Sequence, residues 1–141
     1  MSAFSIHSEI NSTQSNLISL FLFISDFKNF NSILPEDRIE DFKYSELECT
    51  FNIKGITSMK IKIIEKHTHD YILFASEGLA NFNFNFNLKV FFIGEANQNG
   101  ECKIELYGDL NPFIKSMAEK SLIQLVNTMS LKLSQLKLES I

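Results

Sequence analysis

Three histidines, His7, His67 and His69, are the residues of this chain whose side chains exchange protons near neutral pH. His67 and His69 are two positions apart, which places both imidazoles on one face of a strand and would suit a metal ion. A zinc site needs at least three protein ligands, and the adjacent Asp70 belongs to a turn signal that supplies no well-placed third one. The pattern therefore predicts an exposed strand end, with no metal and no cofactor bound there.

Carboxylates that could act as a general acid or base occur at the predicted ends of elements. Asp26, Glu77 and Asp109 occupy such positions, where a carboxylate more often caps a helix or is solvated than catalyses. No pair of nucleophile and base accompanies them, and the sequence has no G-x-S-x-G segment, phosphate-binding loop or zinc-ligand spacing. We predict no catalytic residue, which favours a protein that is not an enzyme but leaves the question open.

The most unusual feature of the composition is phenylalanine, with 14 residues against three tyrosines and no tryptophan in 141 residues. Rings without hydrogen-bonding groups gain free energy when they leave water, so they predict a dry interior. A chain of this length can bury such an interior in one domain, residues 1–141, without a disulfide or a metal. Cys49 and Cys102 lack C-x-x-C spacing, so we expect buried free thiols in a reducing compartment, the cytoplasm.

The charge of the chain argues against nucleic acid as a partner. Lys and Arg number 13 against 17 Asp and Glu, a formal net charge of -4, whereas phosphate binding needs a clustered basic surface. The lysines within residues 60–66 alternate with apolar residues and indicate one solvated face of a strand. The apolar run at residues 17–24 is too short to span a bilayer and follows no Lys or Arg, so we expect neither a membrane span nor a secretory signal. We expect a monomer or a weak dimer.

The N-terminal part of the chain is predicted to form a strand followed by two short helices. Residues 3–10 alternate loosely and predict the strand. Residues 12–16 offer several helix N-caps, and apolar residues then follow at helical spacing: Leu17, Leu20, Phe21 and Ile24. Ser25 or Asp26 could cap the second helix, which would end before Pro35 because the residue preceding a proline is disfavoured in the helical conformation.

Residues 38–109 show a strand pattern throughout, in about six segments. Apolar and polar side chains alternate there, and turn signals such as residues 97–100 separate the segments. The clearest alternation is NFNFNFNLKVFF at residues 81–92, where every even position is apolar. Strands with one wet and one dry face indicate an antiparallel sheet, and a helix predicted from residue 112 to about residue 136 would cover the dry face.

This order of elements, together with local motifs, resembles the helix-grip fold of the START-like superfamily, also called the SRPBCC superfamily. Over essentially its full length the chain is similar to small, functionally unassigned bacterial single-domain members, and four segments carry the likeness: SDFKNFNSILP (25–35), CTFNIKG (49–55), SEG (76–78) and GDLNPFIKSMAEK (108–120). The resemblance implies an α+β fold in which a curved antiparallel β-sheet wraps around a long C-terminal α-helix, with two short helices after the first strand. The motifs are turns, caps and strand patterns, so they specify the fold and leave the activity open.

Members of this superfamily share a deep, mostly apolar cavity between the helix and the sheet. The alternation and the resemblance together predict the ligand-binding residues of this chain: Phe51, Ile53, Met59, Ile61, Phe74, Phe82, Phe84, Phe86, Phe113 and Met117. A wall of hydrocarbon would suit an apolar small molecule such as a lipid, polyketide or isoprenoid-like compound, which we expect to be bound or carried without reaction. The alternative is that the rings fill the space themselves, since burying each one is favourable by about 4 kcal/mol.

Two other functions found in the superfamily stay open. A polyketide cyclase or dehydratase would need at least one ionisable residue that points into the cavity. The sequence shows nothing like the polar constellation of such a cavity, and the glycine-rich phosphate-binding loop of the pathogenesis-related branch is missing. A protein-interaction module of the co-chaperone kind would instead show a solid core and a large exposed apolar patch.

Overall fold

Eight β-strands form one antiparallel sheet in the computed structural model, which describes residues 2–54, 57–68, 70–78, 86–110 and 112–138. The strands are β1 (Ser2–His7), β2 (Asn11–Asn16), β3 (Ile39–Tyr44), β4 (Glu48–Ile53), β5 (Thr57–His67), β6 (Tyr71–Gly78), β7 (Phe86–Ile93) and β8 (Asn99–Leu110). Their order across the sheet is β1-β8-β7-β6-β5-β4-β3, and β2 also pairs with β8. From β3 onward each strand pairs with the next along the chain, which confirms the predicted antiparallel meander.

The second strand, β2, was not expected from the pattern, because all six of its residues are polar. Hydrogen bonds from its side chains take the place of apolar packing. Thr13 Oγ1 accepts a bond from the backbone N–H of Gly100 at 2.8 Å, and Ser15 Oγ donates one to the carbonyl of Leu136 at 2.6 Å. The two short helices therefore follow two strands, one more than predicted.

Both predicted short helices are present, as α1 (Leu17–Ile24) and as a 3-10 helix (Phe27–Ile33). Asn16 caps α1 and Asp26 caps the 3-10 helix, each by accepting a hydrogen bond from a backbone N–H of the first turn. The 3-10 helix ends ahead of Pro35, where the backbone is extended as expected for a residue that precedes proline. Polar caps and a proline thus fix the bounds of both helices.

The long C-terminal helix, α2 (Pro112–Gln135), ends within one residue of its predicted end, and its predicted N-cap, Asn111, lies outside the described residues. It packs on β8, β2, β1 and the 3-10 helix. Apolar residues at helical spacing form its buried stripe: Ala118, Leu122, Leu125, Val126, Met129 and Leu133. Within the described ranges, no helix has the length and apolar character that crossing a membrane requires.

The inner face of the sheet carries the hydrophobic core. Along β7, alternate residues are buried: Phe86, Leu88, Val90 and Phe92. This confirms the alternation predicted at residues 81–92 for its second half, while residues 81–85 lie outside the described part of the chain. The 3-10 helix places Phe27 and Phe30 against Phe74 of β6, whereas α2 packs on β1, β2 and β8.

Candidate functional site

A cleft of about 320 Å³ opens between α2, the segment after the 3-10 helix, and the end of β4. Ile53 and Leu125 are its apolar lining, and both belong to the hydrophobic core. The other residues around it are Pro35, Asp37, Arg38, Ser121, Gln124 and Thr128. The cleft therefore leads from a mostly polar mouth toward the interior between the sheet and the helix.

Arg38 is fixed at the mouth of the cleft by both its backbone and its side chain. Its backbone N–H donates to the carbonyl of Pro35 at 3.1 Å, and its carbonyl accepts from the N–H of Lys54 at 2.9 Å, just past the end of β4. Its guanidinium donates from Nη2 to Gln124 Oε1 at 2.6 Å and from Nη1 to Ser121 Oγ at 3.4 Å. The side chain thus bridges from the loop to α2.

One stripe of α2 faces this cleft. Ser121, Gln124 and Thr128 recur at intervals of three and four residues, which places them on one side of the helix. Lys132 continues the stripe by one turn, and its ammonium donates a hydrogen bond to the carbonyl of Leu34 at 2.8 Å. Because this stripe lies beside the buried one, α2 presents apolar side chains to the core and polar side chains to the mouth of the cleft.

The guanidinium of Arg38 carries a charge that no carboxylate neutralises within the described part of the chain. Asp37 also lines the cleft, but its side chain is exposed and forms no ion pair with Arg38. A guanidinium has five N–H donors, and the two hydrogen bonds to Ser121 and Gln124 leave several of them free. This mouth is chemically suited to an anionic or strongly accepting group.

The structure buries six of the predicted ligand-binding residues on the inner face of the sheet: Phe51, Ile53, Met59, Ile61, Phe74 and Phe86. Of these, Ile53 lines the cleft. Phe74 is in contact with two rings of the 3-10 helix, Phe30 at a centroid distance of 5.3 Å and Phe27 at 6.1 Å. Phe74 is fully buried, so these rings occupy their part of the interior themselves.

The other four predicted residues are not placed in the interior. Phe82 and Phe84 lie outside the described residues. Phe113 and Met117 of α2 are 72% and 65% exposed, so the prediction that they face the interior is wrong. The buried stripe of α2 passes through Leu122, and both residues lie on other sides of the helix because 100° separates successive positions. Met117 instead precedes the cleft stripe by one turn.

Ser76 is a polar residue in the otherwise apolar inner row of β6. The alternation places it on the same face as Ile72 and Phe74, and all three are buried. Its hydroxyl has no hydrogen-bond partner among the residues that the structure describes, although buried polar groups are nearly always paired. Register sets it beside Ile61 of β5 and Phe86 of β7, two of the predicted wall residues.

His7 and His67 are not among the residues that line the cleft. His7 is exposed, with its Nδ1 3.6 Å from a carboxylate oxygen of Glu105, and His67 stacks on Tyr71 with ring centroids 4.4 Å apart. His69 lies outside the described residues. Across the ranges that the structure describes, no three His, Cys, Asp or Glu side chains come together in a way that could hold a metal ion.

The two cysteines are buried and separate. Burial raises the pKa of the Cys49 thiol to about 12 and that of the Cys102 thiol to about 11. Cys102 Sγ also donates a weak hydrogen bond to the carbonyl of Ser130 at 3.6 Å. Both thiols therefore stay protonated at neutral pH and are poor nucleophiles.

No family model and no curated protein matches this sequence, but solved structures match its fold. Norcoclaurine synthase from Thalictrum flavum superposes with a TM-score of 0.69 at 11% identity, over 94% of this chain and 85% of that one. A protein from Thermobifida fusca gives 0.59 at 10% identity, over 92% and 90% of the two chains. Ara h 8.0201 gives 0.56 at 9% identity, over 94% and 98%.

These likenesses establish a shared fold. They extend over more than nine-tenths of the chain, while identities near 10% carry no residue-by-residue correspondence. The antiparallel sheet, the paired short helices and the long C-terminal helix are the helix-grip fold, so the predicted fold is confirmed.

Proposed function

We propose that this chain binds an apolar small molecule, of lipid, polyketide or isoprenoid-like character, between its sheet and α2. The observation that carries this proposal is the cleft, because Ile53 and Leu125 connect its polar mouth to the hydrophobic core. Its volume of about 320 Å³ lies at the lower end of the range of about 300–1,000 Å³ that is typical of small-molecule sites. A guest that enters there leaves water at once.

The proposed wall beyond the cleft consists of inward-facing residues of β4, β5, β6 and β7. Phe51 and Ile53 of β4 lead inward from the cleft, followed by Met59 and Ile61 of β5, which pair with β4. Phe74 and Phe86 lie farther along the same face, and the alternation assigns Phe82 and Phe84 to it as well. Since the rings around Phe74 are closely packed, we expect the guest to occupy the β4 side and α2 to move when it enters.

Binding without reaction is the function that the described interior supports best. Its buried polar side chains are the hydroxyls of serine and threonine, and no carboxylate or imidazole is among them. General acid–base chemistry draws on such ionisable groups. A neighbour of the same fold, norcoclaurine synthase, has been solved in complex with dopamine and hydroxybenzaldehyde, which supports uptake of a small molecule by this architecture.

We also infer that the protein works in a reducing compartment, the cytoplasm. Cys49 and Cys102 are buried and free in the structure, and such thiols are typical of proteins that are not exported to an oxidising environment.

Two measurements test this proposal: native mass spectrometry of the freshly purified protein, and titration of the protein with a fluorescent fatty acid. We expect a co-purified guest or saturable binding of the fatty acid. Thr128→Trp should lower the affinity for the fatty acid at least tenfold, because the indole would fill the cleft. Leu131→Trp places the same ring on the exposed side of α2 and is the matched control. The absence of any guest and of saturable binding would contradict the proposed function.

A further inference from the structure

We propose that the guest is an amphipathic carboxylic acid, whose carboxylate binds the guanidinium of Arg38 while its apolar tail enters past Ile53 and Leu125. This inference rests on the proposed function and adds the chemical class of the ligand. Three observations on the cleft support it. The guanidinium of Arg38 lies at the mouth without a carboxylate partner among the described residues, and neutral side chains of α2 orient this guanidinium. Apolar side chains line the cleft behind it.

Arg38 is the single arginine of the sequence, and its surroundings are those of a binding residue. Its side-chain partners are a hydroxyl and an amide, both neutral, so its charge remains available. Ser121 and Gln124 hold the planar guanidinium in place across the cleft, which reduces the entropy that a ligand loses when it orients the side chain. The fork of N–H donors matches the two oxygens of a carboxylate, an arrangement that a lysine ammonium cannot reproduce.

The neighbouring charges set the expected strength of the interaction. Lys132 lies on the same stripe of α2 and adds positive potential from a position bonded to the carbonyl of Leu34. The carboxylate of Asp37, which also lines the cleft, lowers this positive potential from an exposed position. Removing that carboxylate in Asp37→Asn should therefore tighten the binding of an acid, and leave an uncharged ligand unaffected.

The apolar lining distinguishes an amphipathic acid from a small anion. A phosphate or acetate would contact the guanidinium alone, where water competes for the same donors. A carboxylate with a hydrocarbon tail also buries that tail against Ile53 and Leu125, and each methylene removed from water adds to the affinity. The combination of mouth and lining thus favours a medium or long acyl chain with one acidic end.

The experiment compares decanoic acid with 1-decanol by isothermal titration calorimetry, since the two share a tail and differ in the head group. For the unmodified protein we expect the acid to bind at least about tenfold more tightly, as one charge-assisted hydrogen bond would give. Arg38→Gln should lower the affinity for decanoic acid to that for 1-decanol. Lys66→Gln removes a charge from an exposed position on β5 and should change neither ligand.

A second variant protects the test against misfolding of the first. Gln124→Glu keeps the shape of the side chain and places a carboxylate against Arg38, so acid binding should fall about tenfold while alcohol binding persists. Equal binding of acid and alcohol, or an acid preference that survives both variants, would overturn the assignment of Arg38 and leave the proposed function standing. Failure of both ligands to bind the unmodified protein would overturn the two proposals together.

Discussion

Arg38 and Ser76 show how the surroundings of single residues decide what they can do. The guanidinium of Arg38 is held by neutral partners from α2, so its position is fixed while no carboxylate of the described ranges pairs with it. The hydroxyl of Ser76 is buried within a row of hydrocarbon side chains and finds no partner in the described part of the chain. Polar groups that lack an ion-pair or hydrogen-bond partner in the fold are therefore the ones that suggest a function or an energetic cost.

Replacing Ser76 with alanine should not destabilise the protein. The hydroxyl loses its bonds to water on folding and gains none, so Ser76→Ala should leave the free energy of unfolding unchanged or raise it by up to about 1 kcal/mol. Ser130 is the matched control, because its buried hydroxyl accepts a hydrogen bond from Asn11 Nδ2 at 2.9 Å. Ser130→Ala should cost about 1–2 kcal/mol in urea denaturation. A loss of that size in Ser76→Ala would show that its hydroxyl has a partner.

The two thiols should be unreactive in the native protein. Burial raises the pKa of Cys49 to about 12 and that of Cys102 to about 11, so at pH 8 almost none of either is thiolate. Reaction with a colorimetric disulfide reagent should be negligible in buffer and should reach two thiols per chain in denaturant. Above the pKa of an unfolded thiol, near 9, stability should begin to fall, because the unfolded chain ionises first. Rapid labelling of either cysteine in buffer would contradict this account.

At the scale of elements, β2 shows that hydrogen bonding can form a strand where the sequence carries no strand pattern. Ser15 is buried and accepts a hydrogen bond from the backbone N–H of Leu138 at 2.7 Å while donating to the carbonyl of Leu136 at 2.6 Å. Both partners follow the end of α2, where a helix leaves its last carbonyls without partners. A single serine thus connects β2 to the segment that follows α2.

Ser15→Ala should therefore destabilise the protein by about 2 kcal/mol, because the Leu136 carbonyl and the Leu138 N–H both lose their partner. Hydrogen exchange at Leu138 should become faster in the same variant. Ser12 lies on the same strand with an exposed side chain, and Ser12→Ala should stay within about 0.5 kcal/mol. Equal effects of the two substitutions would show that the connection contributes nothing.

The sequence predicts elements better than their relative positions. Alternation and caps predict seven of the eight described strands and the three helices correctly, because those signals depend on neighbours within a few residues. Phe113 and Met117 show the limit, since apolar residues occur on more than one side of α2 and only packing selects the buried stripe. Arg38 carried no signal at all in the sequence, because the two side chains that hold its guanidinium are more than 80 positions away.

At the scale of the whole molecule, the cleft lies where two coverings of the sheet meet. α2 covers the side formed by β1, β2 and β8, and the 3-10 helix with its phenylalanines covers part of the other side. Between them, the segment after the 3-10 helix and the end of β4 leave a space of about 320 Å³. A guest that enters between α2 and the 3-10 helix would disrupt the least packing. We therefore propose that binding occurs at this boundary.

Binding between the sheet and α2 is tested most directly by nuclear magnetic resonance of methyl-labelled protein in the presence of decanoic acid. We expect nuclear Overhauser contacts from the acyl chain to the methyl groups of Ile53 and Leu125, and none to the exposed Leu47 and Ile64. Contacts confined to the exposed methyl groups, or no contacts at millimolar ligand, would contradict binding between the sheet and α2.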